Sequence, residues 1–336
     1  MAITRRTALG AGAVALSAPW LARPAQARTT LKLASELLDN HPGIIRMREA
    51  ADAISKETSG EIQLRIFPNS QLGAAQEMLN QIRSGAVDFY PAAAAGLSAV
   101  VPVVSISSMG FAFDTYDQVW SALDGKLGTH IREEIAKIGY ILAMDAMWDN
   151  GFRQVTNSLH PIETPADLKG LKLRVPLAPL YTSMFSALGA APTGLSVAEL
   201  YTSLQTKLVD GQENPLSIID IYKYYEVQKF CSVTNHMWDG FWLLANRRSW
   251  DRISDQARPI VAKNLKAATL AMRTDVAKLN AGAADRLRQH GMQVNVVADK
   301  APFRRTLTDA GFYATWRKTY GEEAWGELES TVGPLS

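Results

Sequence analysis

The stretch "GLKLRVPLAP" (170–179) places an arginine inside a short run that otherwise reads as a strand. Leu171, Leu173 and Val175 share one face at the strand period of two, while Lys172 and Arg174 share the other. Taken alone, this is an edge strand with a solvated basic face. Other residues able to do chemistry are scattered. His41, His130, His160, His236 and His290 form no HExxH and no pair at ligand spacing with a carboxylate cluster, which speaks against zinc. No GxSxG elbow and no GxxxxGK(S/T) loop occurs, and no GxGxxG follows a strand. Cys231 is the single cysteine, so no intrachain disulfide forms, and a buried structural thiol is its reading. With every local catalytic motif absent, the weight moves from catalysis toward binding.

The elements that must position these residues follow from the remaining sequence. Residues 1–27 read as an export signal: "TRRTALG" (4–10) sets a twin arginine before an apolar, small-residue run, and "AQA" (25–27) has the form of a cleavage site ending at Ala27. Its removal takes away Arg5, Arg6 and Arg23 and moves the formal charge from +2 to −1. A near-neutral chain gives no reason to expect nucleic acid or an anionic membrane surface as partner. No later run is long enough to span a bilayer, so the mature chain is expected in the periplasm, not inserted in the membrane. With 336 residues, 47% of them hydrophobic, the chain is long enough for about two domains.

From residue 29 strands and helices alternate. "TLKLASE" (30–36) is a strand, 43–60 an amphipathic helix closed by Gly60, "EIQLRIFP" (61–68) a strand, about 74–84 a helix, and "AVDFYPAA" a third strand. This rhythm implies α/β layers with largely parallel strands. "TPADLKG" (164–170) is a one-turn helix feeding the "LKLRV" strand, and "SVAELYTSLQTK" (196–207) opens with a capping-box pattern, Ser196 with Glu199. The two helix-to-strand units echo each other: Glu77 precedes Val87-Asp88 as Glu199 precedes Val209-Asp210, with Ile82 and Leu204 in phase. Residues 249–290 form a long helical stretch with breaks expected at Pro259 and Gly282.

Three long stretches, "NGFRQVTNSLHPIETPADLKGLKLRVP" (150–176), "ALGAAPTGLSVAELYTSLQTKLVDGQENP" (187–215) and "YYEVQKFCSVTNH" (224–236), closely resemble the DctP-type solute-binding proteins of TRAP transporters. "HPG" (41–43), "FPNSQLGAAQEM" (67–78) and "SGAVDF" (84–89) fit as well, so the resemblance spans the mature chain. It implies an α/β, two-lobe periplasmic binding protein fold with several interlobe crossings and a long helix running along both lobes. Lobe I would hold 28–150 and about 240–279, and lobe II 151–239 and about 280–336. The implied activity is reception of a small organic acid and delivery to the small and large membrane subunits of a TRAP permease. No catalysis, cofactor or metal is implied.

In this family the arginine of the LRVP-like segment holds the ligand carboxylate, and Arg174 occupies that place. The physics agrees, since a guanidinium offers a planar pair of donors and stays charged. Arg153 in "NGFRQVT" resembles a second position near the carboxylate, with a structural ion pair as its other reading. Asn214 in "DGQENP" matches a ligand-bonding asparagine, or is a plain Asn-Pro turn. Glu77 is a polar ligand contact or a helix cap. Gly194 and Val197 stand where many relatives carry proline and a large aromatic, leaving room beside Arg174. Trp148, Trp238 and Trp242 fall near lobe-facing segments. A tryptophan in the cleft would favour an aromatic or branched 2-oxo or 2-hydroxy monocarboxylate over a C4-dicarboxylate.

Overall fold

Strand and helix alternate in space as the sequence pattern requires, and the strands join into one sheet. The computed structural model describes residues 28–139 and 141–335, so the expected export signal lies outside the described residues. Eleven strands are described: β1 Thr29–Ala34, β2 Ile62–Phe67, β3 Phe89–Ala93, β4 Ile141–Ala143, β5 Trp148–Asn157, β6 Lys172–Val175, β7 Ala191–Gly194, β8 Gly211–Pro215, β9 Phe230–Val233, β10 Trp238–Asn246 and β11 Gln293–Val296. They run in the order β2-β1-β3-β10-β5-β8-β6-β7, with β4 on β10, and β9 on β5 with β11 beyond it. Pairing is parallel within β2-β1-β3 and β8-β6-β7. The long central strands β10 and β5 lie antiparallel to each other and to their outer neighbours.

This is an α/β architecture of two parallel half-sheets joined through β5 and β10. At the seam the register slips between Asp239 and Gly240. Only glycine fits at 240, because a Cβ there would come within 2.3 Å of the Trp238 ring and 2.5 Å of the Trp148 carbonyl oxygen. Helices cover both faces of the sheet. One core layer lies under the helix Pro42–Glu57 and the long helix; the other lies under the helices of 116–137 and the C-terminal helices from Ala301 onward.

The long helix runs unbroken over Ala257–Gln289. Pro259 causes no break because it is the helix's third residue, where its missing N–H has no intrahelical partner to lose. The interruption falls earlier, between the short helix Arg247–Asp251 and Ala257. Gly282 is carried inside the helix. Near its start Lys263 pairs with Glu57 at 2.6 Å, further along Asp275 pairs with Arg46 at 2.6 Å, and near its end Arg286 pairs with Asp220 at 2.6 Å. The helix therefore bridges both half-sheets.

The two echoing sequence units are built alike. In the first, the backbone N–H groups of Ala86 and Val87 close the helix Ala75–Ser84 on the Gln81 carbonyl. The Asp88 carboxylate then takes the Lys32 N–H of β1 at 2.7 Å. In the second, the N–H groups of Leu208 and Val209 close the helix Val197–Gln205 on the Ser203 carbonyl, and Asp210 takes the Lys172 N–H of β6 at 3.1 Å. The left-handed turn is Gly85 at φ +81° in the first unit and Lys207 at φ +58° in the second.

A lysine held there is strained, so Lys207→Gly is expected to stabilise the fold by about 1 kcal/mol in urea denaturation. His41 caps the helix Pro42–Glu57: its Nδ1 accepts the Gly43 N–H at 3.0 Å. Burial pushes its pKa down to about 3. Below about pH 6.5 the unfolded chain protonates this ring and the folded chain does not, so stability falls with pH across that window. Replacing it by asparagine, which keeps the cap acceptor, is expected to flatten the stability slope between pH 6 and 4 by about 1.4 kcal/mol per pH unit.

Candidate functional site

The carboxyl ends of β1, β3 and β6, together with the start of the helix Ala75–Ser84, open onto a cleft of about 430 Å³. This is where ligand sites form in open α/β sheets. Arg153, Arg174, Asn214 and Glu77 all line it. Trp148 and Trp238 do not.

Arg174 leaves β6 opposite Leu173 and Val175, which are fully enclosed in the core. Its side is not the solvated face that a lone strand reading gives: Arg174 is 3% exposed, and only Lys172 is in solvent. Nε and Nη2 donate to the Leu195 carbonyl at 2.9 and 2.6 Å, which fixes the plane of the guanidinium. Nη1 takes no partner among the described residues, and no carboxylate pairs with the group. Burial pulls its pKa below the usual arginine value, with Tyr224 and Glu213 pulling it back. It remains a charged, anchored donor facing the cleft.

Arg153 is held very differently. From β5 its Nε and Nη2 meet Glu213 of β8 at 2.5 and 2.8 Å, and its Nη1 meets Asp239 of β10 at 2.9 Å. The three side chains are no more than 3% exposed. Glu213 also accepts from His236 Nε2 at 3.1 Å, in the tautomer whose Nδ1 takes the Thr234 hydroxyl at 2.8 Å. Burial opposes ionisation of Glu213, yet Arg153 and His236 hold its carboxyl below the usual range. At Asp239 burial wins and pushes the carboxyl up. The ion-pair reading of Arg153 is thus realised, although the residue also edges the cleft.

Asn214 donates from Nδ2 to Gln212 and accepts from Arg153 Nη2 at 3.2 Å, so its amide is held by buried neighbours. Glu77 caps its helix by accepting the Ala74 N–H at 2.8 Å, while still bordering the cleft.

None of the tryptophans the sequence singled out lines the cleft. Trp238 and Trp242 lie in the core layer on the other face of the sheet. Trp148, on the face of its ladder partner Phe241, is packed away beneath it. Trp148 is fully buried against Gly43, where a Cβ would meet its ring at 2.6 Å. Trp238 donates to Asp149 at 2.9 Å and meets Trp120 edge-on at 5.4 Å. Trp242 is core as well. Alternation along β10 puts Asp239 and Phe241 on the cleft face and the two tryptophans opposite. The sequence reading followed residue size and missed that parity. It also missed Glu36, Asn150 and Tyr222, which line the cleft from segments with no motif of their own.

Over residues 33–311 the sequence matches the model of the DctP family, described as bacterial extracellular solute-binding protein, family 7. The chain belongs to this family. It is 32% identical over 263 residues to the 2,3-diketo-L-gulonate-binding periplasmic protein YiaO of Escherichia coli, covering 78% of this chain and 80% of that one. A TRAP periplasmic solute-binding protein from Polaromonas sp. JS666, solved with D-erythronate, superposes with a TM-score of 0.85 at 29% identity, over 90% of this chain and 99% of that one. Another, from Sulfurospirillum deleyianum with succinate, gives 0.85 at 26% identity over 91% and 99%. The fold expectation, two α/β lobes of the TRAP solute-binding type, is met by these likenesses. Among the described residues no helix is long and apolar enough to cross a membrane.

Removing Arg153 strands two buried carboxylates. Arg153→Leu is expected to cost about 3–5 kcal/mol in urea denaturation, a loss of stability far larger than a ligand contact alone would give.

Proposed function

We propose that this protein is a periplasmic receptor that holds the carboxylate of a small organic acid on Arg174 and presents the closed complex to a TRAP-type permease. The observation that carries this reading is the contrast between the two arginines of the cleft. Arg153 already has two carboxylates, and Arg174, equally buried, has none. A buried guanidinium with a free donor edge is completed by an anion that arrives from outside. Asn214, beside it in the cleft, supplies the next polar contact.

Closure brings together two lobes, 28–150 with about 240–279 and 151–239 with about 280–336, by bending where β5, β10 and the long helix pass between them. The relatives' solutes, a diketo sugar acid, a hydroxy acid and a dicarboxylic acid, share a carboxylate and little else. With Trp148 and Trp238 outside the cleft, the case for an aromatic side chain on the ligand loses its support. The apolar surface that remains, Leu177, Leu195, Val197 and Phe241, suits the carbon chain of a 2-oxo or 2-hydroxy monocarboxylate.

Arg174→Ala is expected to leave the melting temperature of the ligand-free protein nearly unchanged. It should weaken binding of the best organic acid found by thermal-shift screening by about 3–5 kcal/mol in titration calorimetry. Binding within tenfold of wild type would overturn the assignment.

A further inference from the structure

The helix Glu322–Val332, near the chain's end, packs on the helix Lys126–Lys137. Ala324, Trp325 and Leu328 of one and Leu127, Ile131 and Ile135 of the other share a core layer, which fixes the two backbones against each other. At the outer rim of this packing His130 meets Glu323 and Glu327, and one ligand atom from each of the three side chains lies within 4.8 Å of the others. Glu323 and Glu327 are four residues apart, so they stack on one helix face, where like charges repel. None of the three lines the cleft around Arg174.

Ordinary partners do not account for this cluster. His130 Nδ1 stands 3.9 Å from Glu323 Oε1, beyond hydrogen-bond reach. Glu327 Oε2 is closed off from solvent and takes no donor among the described residues. Lys137, a cation that feels Glu323, gives its ammonium to Glu134 on its own helix. An enclosed carboxylate oxygen without a donor is costly, and a cation beside it offsets that cost together with the repulsion between the two glutamates.

The donor set points to the kind of ion. Calcium and magnesium favour shells of oxygen alone, whereas one imidazole nitrogen with two carboxylate oxygens suits zinc, with water in the fourth position. A tetrahedral zinc with ligands at about 2.0–2.2 Å holds them about 3.4 Å from one another, so small side-chain rotations gather this set around an ion. We infer that His130, Glu323 and Glu327 form a zinc site, separate from the cleft, that staples the helix Glu322–Val332 to the helix Lys126–Lys137. Sequence spacing gives no sign of it, because the histidine and the glutamates come from helices far apart in the chain.

Titration calorimetry of zinc chloride into tag-free, chelator-treated protein tests this, with Glu323→Gln, His130→Ala and His160→Ala beside wild type. Wild type is expected to take one zinc ion with a Kd of about 50 µM or tighter, and calcium at least about a hundredfold more weakly. Glu323→Gln and His130→Ala should each weaken zinc by about tenfold or more. His160→Ala, at an exposed histidine outside the cluster, should leave it unchanged. Glu323 is 80% exposed, so its amide variant keeps the fold even if His130→Ala does not. Saturating zinc should also raise the melting temperature of wild type by a few degrees and that of Glu323→Gln by less. Weaker zinc binding by wild type overturns the inference, as does binding that Glu323→Gln keeps in full, or calcium bound as tightly as zinc. A wild-type melting temperature that zinc leaves unchanged overturns the staple.

Discussion

A buried positive charge must be answered inside the protein or from outside it, and this constraint organises the cleft. Arg153 is answered inside. Glu213 and Asp239 come to it from β8 and β10, on either side of its own strand β5. Desolvating three charges is costly, and the geometry offsets that cost only because nearly every donor and acceptor is used. His236, Asn150 and Ser108 complete the set, the last two donating to Asp239. The network ties the central strands together at the place where β10 slips register and the two half-sheets meet. It also consumes Asp239, the acid of the network that borders the cleft. What is left facing the opening is Arg174 with a free donor edge.

Much of the architecture was legible because it rests on local patterns. Strand parity placed Leu173 and Val175 in the core, glycine and proline punctuation placed the helix ends, and the eleven-residue spacing from Glu77 to Asp88 recurred from Glu199 to Asp210 as a real structural echo. Proline misled at 259. A proline breaks a helix interior but is at home in a first turn, and which of the two applies depends on where the helix begins, here set by packing of Ile253 and Ala257 into the core.

The site was legible in part, for a related reason. Arg174, Arg153, Asn214 and Glu77 sit within motifs long enough to place them on the cleft. Whether each was free or already engaged was not legible, because the partners lie far off in sequence: Glu213 is 60 residues from Arg153, and Asp239 is 86. Trp238 and Trp242 failed as cleft residues on parity, whereas Trp148, the cross-strand partner of Phe241, is packed away against Gly43. Trp238 and Trp242 are four apart on one strand and share a face, and counting from Asp239 would have given Phe241 instead. Glu36 carried no signal beyond its own charge. A lone acid after a strand is usually solvated, and only the fold brings it into the same cleft as Arg174.

The structural echo gives that meeting a geometric cause. β1 and β6 are equivalent strands of the two units. Each is gripped through its lysine backbone by an aspartate from the strand-opening turn that follows the unit's helix, Asp88 on Lys32 and Asp210 on Lys172. The grips fix where the carboxyl end of each strand stands. Residues at or just beyond those ends therefore enter the cleft from matching positions in the two half-sheets. The first unit places a small residue, Ala34, where the second places Arg174, and follows it with Glu36. Two copies of one local construction, differing at a few side chains, thus produce opposite poles on opposite walls. The basic residue of one wall and the acidic residue of the other thus owe their places to the same pair of equivalent strands.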